Sequence, residues 1–89
     1  MEDVVGCKIV NGEATYKLHP VTDYAAEPGK LGCHEDFADS ATWYITRPCD
    51  LLAGGIGEVK YPDAGKARYK YFKNSVFDGR EYLPPGGCH

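Results

Sequence analysis

No apolar run in this chain exceeds four residues, no C-x-x-C pair occurs, and Met and Trp appear once each. The first absence excludes a membrane-spanning helix and a secretory h-region in the sequence as it stands. The second weighs against zinc, whose sites in small domains are usually built from close ligand pairs on turns. Large aliphatic side chains are scarce too: Leu, Ile, Val and Phe supply 17 of 89 residues, near the ~20% level below which chains tend to disorder. Seven Tyr make up part of that deficit, and a net charge of -3 with 43% hydrophobic residues describes a folding chain. The length sets one domain, 1–89, small enough to benefit from a covalent staple.

The chain does hold four cysteines, Cys7, Cys33, Cys49 and Cys88. An even count in a short chain points to two disulfides and an oxidising compartment, with the pairing left open. That reading expects Met1 to head a mature secreted segment. The dipeptides Cys33-His34 and Cys88-His89 leave a Cys/His metal site as an alternative, although neighbours on an extended strand point to opposite faces.

Turn signals predict an all-β fold. Asn11-Gly12 suits a type I′ turn, and pairing outward sets Ile9 opposite Ala14 and Lys8 opposite Thr15. Residues 21 to 32, with Glu27-Pro28-Gly29, read as loop, and His34 to Ser40 as one helical turn at most. Thr42 to Thr46 reads as a strand stopped by Pro48, and Gly54 to Gly57 as a flexible connector. A second hairpin fits Glu58–Tyr61 and Ala67–Phe72 around Pro62-Asp63-Ala64-Gly65, and a third fits Asp78-Gly79. Five or six short strands of this kind predict a small disulfide-stapled antiparallel β-sandwich or barrel.

No catalytic set emerges. The three histidines sit beside a Pro, a Cys or the terminus, and a Cys/His dyad would use a cysteine that bridging consumes. Glu35, Asp36 and Asp39 match no calcium loop and read as charges on a surface turn. Neither an enzyme nor a cofactor nor a metal is expected. Charge is uneven along the chain: residues 1–50 carry net -5 and residues 51–89 net +2. Lys60, Lys66, Arg68, Lys70 and Lys73 interleave with Tyr69, Tyr71 and Phe72, a pattern that single-strand nucleic-acid barrels also use. The acidic total charge weighs against nucleic acid as the partner.

The opening Gly6-Cys7-Lys8-Ile9-Val10, the four cysteines and the closing Asn74-Ser75-Val76-Phe77-Asp78-Gly79 and Pro85-Gly86-Gly87-Cys88 resemble the MAX-type (ToxB-like) secreted fungal effectors. The resemblance covers the two ends of the chain, which departs from the pattern in its 38 residues between Cys49 and Cys88. It implies a six-stranded sandwich, a Cys7–Cys49 bridge with Cys33–Cys88 beside it, and non-enzymatic action on host proteins. The expected function is therefore a secreted binding module, monomeric and away from membranes, that engages a host or partner protein and is delivered into host cells if the resemblance holds. It would use an exposed strand edge, with Lys60, Arg68, Lys70, Phe72 and Lys73 as contact residues. Its alternatives are a cytosolic single-strand nucleic-acid-binding barrel and a small regulatory or inhibitory subunit with a Cys/His metal site.

Overall fold

The structure, a computed structural model, describes residues 2–19, 21–22 and 32–88. One helical turn, α1 (Glu2–Val5), leads into β1 (Lys8–Val10) and β2 (Glu13–Thr15). Among the described residues three helices follow, α2 (Gly32–Thr46), α3 (Pro48–Ala53) and α4 (Pro62–Tyr71), the last running on into a π-helical turn at Phe72–Val76.

The first hairpin forms in the predicted register, with Lys8 opposite Thr15 and Ile9 opposite Ala14. Asn11 and Gly12 take φ of 52° and 80°, the left-handed values that a type I′ turn needs at both centres. Beyond this hairpin the all-β expectation fails. Among the described residues β1 and β2 make the only sheet, and neither a sandwich nor a barrel is present.

The second predicted hairpin is α4. Its turn residues are ambiguous, because Pro-Asp fits the start of a type I turn and the first positions of a helix equally well. Pro62 opens the helix, Asp63 sits in its first turn, and Arg68 and Lys70 occupy the last, each sign complementing the helix dipole. Alternation at Val59, Tyr61, Ala67, Tyr69 and Tyr71 mimics a strand, yet Ala64, Gly65, Arg68, Tyr69 and Phe72 are the positions buried. Those follow i, i+1, i+4, i+5, i+8, one helical face.

The strand expected at Thr42–Thr46 and the single turn expected at His34–Ser40 are likewise parts of one helix, α2. Its buried face is Asp36, Ser40 and Tyr44, at i, i+4, i+8. Two of the three are polar, so a count of hydrophobic residues misses the period. The β-branched Thr42 and Thr46 turn their hydroxyls back onto the carbonyls of Ala38 (3.0 Å) and Thr42 (2.8 Å), a bond available to Thr within a helix.

Asp78-Gly79 closes the π-helical turn instead of a third hairpin, with both residues at positive φ and the Gly79 N–H donating to the Lys73 carbonyl (2.6 Å). Gly54 to Gly57 connects α3 to α4 as expected. The loop reading of residues 21 to 32, including Glu27-Pro28-Gly29, lies outside the described residues except at Val21, Thr22 and Gly32, and Gly32 already begins α2.

Helix α4 is the hub, in contact with α1, α2 and α3. Val21, Tyr44, Leu51, Ala64, Tyr69 and Phe72 form the core, with Phe77, Tyr82 and Leu83 of the C-terminal segment packed on it. Aromatic rings fill much of the space that aliphatics would otherwise occupy; Tyr44 lies 4.8 Å from both Tyr69 and Phe77, centroid to centroid. Helices α3 and α4 meet at glycines: a Cβ on Gly65 would stand 2.0 Å from the Leu51 carbonyl oxygen and 2.9 Å from the Gly54 Cα.

All four cysteines are bridged. Cys7 pairs with Cys33, stapling the hairpin to the first turn of α2, and Cys49 pairs with Cys88, stapling the C-terminal segment to α3. The arrangement implied by the effector resemblance, Cys7–Cys49 with Cys33–Cys88, is thereby corrected, together with its six-stranded sandwich. The bridged Cα atoms lie 5.7 Å apart at Cys7–Cys33 and 5.5 Å apart at Cys49–Cys88.

Candidate binding cleft

The predicted contact residues divide by burial. Arg68 and Phe72 are 0% exposed, so neither side chain belongs to the surface. Phe72 is core, and Arg68 is bonded inside the fold. Lys60 and Lys70 are exposed, as is Lys66. Lys73 is half-buried and paired with Glu81 at 3.0 Å.

The nucleic-acid barrel reading loses its platform for the same reason: Tyr69 and Phe72, expected on a basic strand, lie in the core of a helical fold. The Cys/His metal reading loses its thiolates to the two bridges. His89 lies outside the described residues. No helix among the described residues is long and apolar enough to cross a membrane.

Arg68 organises what remains. Its Nε and Nη2 donate to the two oxygens of Asp36 at 2.9 and 2.5 Å, its Nη1 donates to the Ala64 carbonyl at 3.1 Å, and Nη2 donates again to the Leu18 carbonyl at 3.0 Å. Ser40 donates to Asp36 at 2.8 Å. Asp36, expected on a surface turn, is thus fully buried and paired, which is how an interior charge becomes tolerable. Of its neighbours, Asp39 accepts from Thr22 (3.1 Å), while Glu35 Oε2 and the Tyr16 hydroxyl are shielded and find no hydrogen-bond partner among the described residues. Burial, and secondarily the Asp36 carboxylate, push the Tyr16 phenol up to about 12.

The two carbonyls that Arg68 holds belong to opposite walls of a cleft of about 360 Å³ lined by Lys17, Leu18, His19, Lys60, Tyr61, Pro62, Asp63 and Ala64. One wall is the strand exit at residues 17–19 and the other is the entry to α4. Across them His19 stacks on Tyr61, with centroids 3.9 Å apart and planes 13° apart. Tyr61 is fixed further by its N–H bond to the Gly54 carbonyl (3.0 Å). The Lys17 stem crosses Gly6, whose missing Cβ would stand 2.6 Å from the lysine Cγ. Gly6 also takes φ of 65°, so both the backbone and the lysine stem require glycine there.

A second, smaller cleft, about 290 Å³, runs along Thr46, Arg47, Pro48, Cys49, Asp50, Tyr82 and Pro84 beside the Cys49–Cys88 bridge. Arg47 lies over the Trp43 ring at 5.6 Å and Arg80 over Tyr82 at 5.4 Å. The first contact lies at the end of α2 and the second within the C-terminal segment, which the Cys49–Cys88 bridge ties to α3.

Of the cleft residues, sequence reasoning singled out Lys60 alone. Lys17 and His19 end a hairpin and Tyr61 reads as a strand residue, so nothing in the sequence marks them as neighbours. Comparison of the chain with protein-family models, with curated proteins and with solved structures found no match.

Proposed function

We propose that this chain is a disulfide-stapled helical binding module of an oxidising, extracellular compartment, and that it engages a host or partner protein through the loop between α3 and α4 and the adjoining cationic face of α4. One observation carries the reading: the loop holds Val59 69% exposed and Ile56 47% exposed immediately beside Lys60. Glycines at positive φ, Gly54, Gly55 and Gly57, shape that loop. Exposed aliphatics that lead into Lys60, with Lys66 and Lys70 exposed on the helix that follows, combine an apolar anchor with cationic neighbours, the make-up of a protein-binding patch. Two bridges support placement in an oxidising compartment. A strand edge is not needed in this reading, since three-residue strands offer little ladder to extend.

The test is selection of peptides from a random display library against the folded, oxidised chain. Recovered peptides are expected to bind and to lose most of that binding when Ile56 and Val59 are both changed to Ser, substitutions at exposed positions that leave the unfolding midpoint in place. Failure to recover any binder, or equal binding to the double variant, would remove the loop from the interface.

A further inference from the structure

The cleft between residues 17–19 and 60–64 is a second recognition element, and we propose that it is a preorganised site for the carboxylate side chains of an acidic segment of the partner. The proposal rests on the partner-binding reading above and deepens it by fixing the chemistry of the contact. Lys17 and Lys60 line the cleft from opposite walls, and among the described residues neither forms an ion pair. The one carboxylate in the lining, Asp63, stands in the first turn of α4, where the helix's own amides stabilise it. Two ammonium groups therefore remain for a ligand. The stacked His19–Tyr61 pair joins the two walls, one ring from each.

Rigidity separates this cleft from a chance gap between surface lysines. Its walls come from segments more than forty residues apart in sequence, and a single buried guanidinium is bonded to the backbone of both, at Leu18 and at Ala64. The Asp36 carboxylate fixes that guanidinium in turn. Lys17 has its stem seated over Gly6, so part of the rotamer entropy that a binding lysine would lose is already lost in the free protein. Arg68 and Gly6 are positioning residues; Lys17 and Lys60 touch the ligand.

The test uses a glutamate-rich peptide as probe and its glutamine counterpart as control, followed by amide chemical-shift changes in the oxidised, isotope-labelled chain. The glutamate peptide is expected to shift Lys17, Leu18, His19, Lys60 and Tyr61, to release as salt is raised, and to bind about two- to fivefold more weakly to Lys17→Gln and to Lys60→Gln. The glutamine peptide should shift none of these. Both variants change exposed side chains, so their spectra also report that the fold survives.

A charge-swapped chain, Lys17→Glu with Lys60→Glu, should transfer binding to a lysine-rich peptide. Shifts confined to Lys66 and Lys70 would overturn the cleft while leaving the broader cationic face in place. Library peptides that bind the Ile56–Val59 loop and lack acidic residues would do the same. Absence of any shift, together with absence of any library binder, would sink both readings.

Discussion

Arg68 and Asp36, thirty-two residues apart and both completely buried, form a two-point ion pair that joins α4 to α2 in the interior of the protein. Four of the five N–H donors of the guanidinium are used, two on the carboxylate and two on backbone carbonyls. The pair stands where a larger protein would place Leu or Ile. Removing one partner leaves the other charged and desolvated. Arg68→Met or Asp36→Leu alone should each cost about 3–5 kcal/mol, whereas the two combined should cost much less than the sum of the single changes. Denaturant unfolding of the four proteins measures this coupling; strictly additive losses would show the pair to be energetically unlinked.

Gly65 separates close helix packing from simple conformational need. A Cβ there meets the Leu51 carbonyl oxygen at 2.0 Å, a backbone atom that moves only if α3 shifts. Gly12 is open to solvent and needs glycine only for its φ of 80°. Gly12→Ala should cost about 1–2 kcal/mol, and Gly65→Ala should cost more, through overpacking. Thermal unfolding of the two variants gives the order, and a milder effect at Gly65 would contradict the contact between α3 and α4.

The two bridges differ in access. Cys7 is buried at 3% exposure while Cys88 is exposed, so a mild thiol reductant should open Cys49–Cys88 first. Alkylation and mass mapping at short times should therefore label Cys49 and Cys88 ahead of Cys7 and Cys33. Removing either bridge by paired Cys→Ala changes should cost about 2–5 kcal/mol. Loop lengths of 39 and 26 residues make the Cys49–Cys88 loss the larger by only about 0.4 kcal/mol on chain entropy.

Stability should fall at alkaline pH through tyrosines. Tyr16 is pushed from 10.0 to about 12, first by burial and then by Asp36. Burial likewise raises Tyr69 and Tyr44, with Glu81 adding to each. A phenol with a raised pKa favours the fold in its neutral form, so this contribution is fully present below about pH 10 and is lost as pH rises towards 12.

Glu81 behaves in the opposite sense. It accepts from Tyr69 and pairs with Lys73, which lower its pKa, so its contribution is present above its ordinary 4.5 and lost as pH falls through the lowered value. Unfolding midpoints across pH should show a plateau between these limits. An alkaline decline that persists unchanged in Tyr16→Phe would assign the effect elsewhere.

The hairpin was legible because its information is local: Asn11-Gly12 fixes the turn, and the turn fixes the register. The pairing of α2 with α4 was hidden for a physical reason. Their buried faces carry Asp36, Ser40 and Arg68, which are polar, while the exposed positions include Ile45 and Phe37. Period-counting on hydrophobicity therefore finds strands where helices lie. Of the candidate cleft, Lys60 was visible as a member of a cationic run; Lys17, His19 and Tyr61 become neighbours only once Arg68 holds Leu18 beside Ala64.

By itself the sequence determined a short chain with four cysteines, a type I′ hairpin, an uneven charge distribution and few aliphatics for its core. Only the tertiary structure decided that Pro62-Asp63 begins a helix, that Cys7 meets Cys33, and that a guanidinium stands at the centre of the fold. The reason is that a charged side chain is buried only where distant chain supplies its partners, and the energy of that arrangement belongs to the assembled pair, not to either residue's local surroundings.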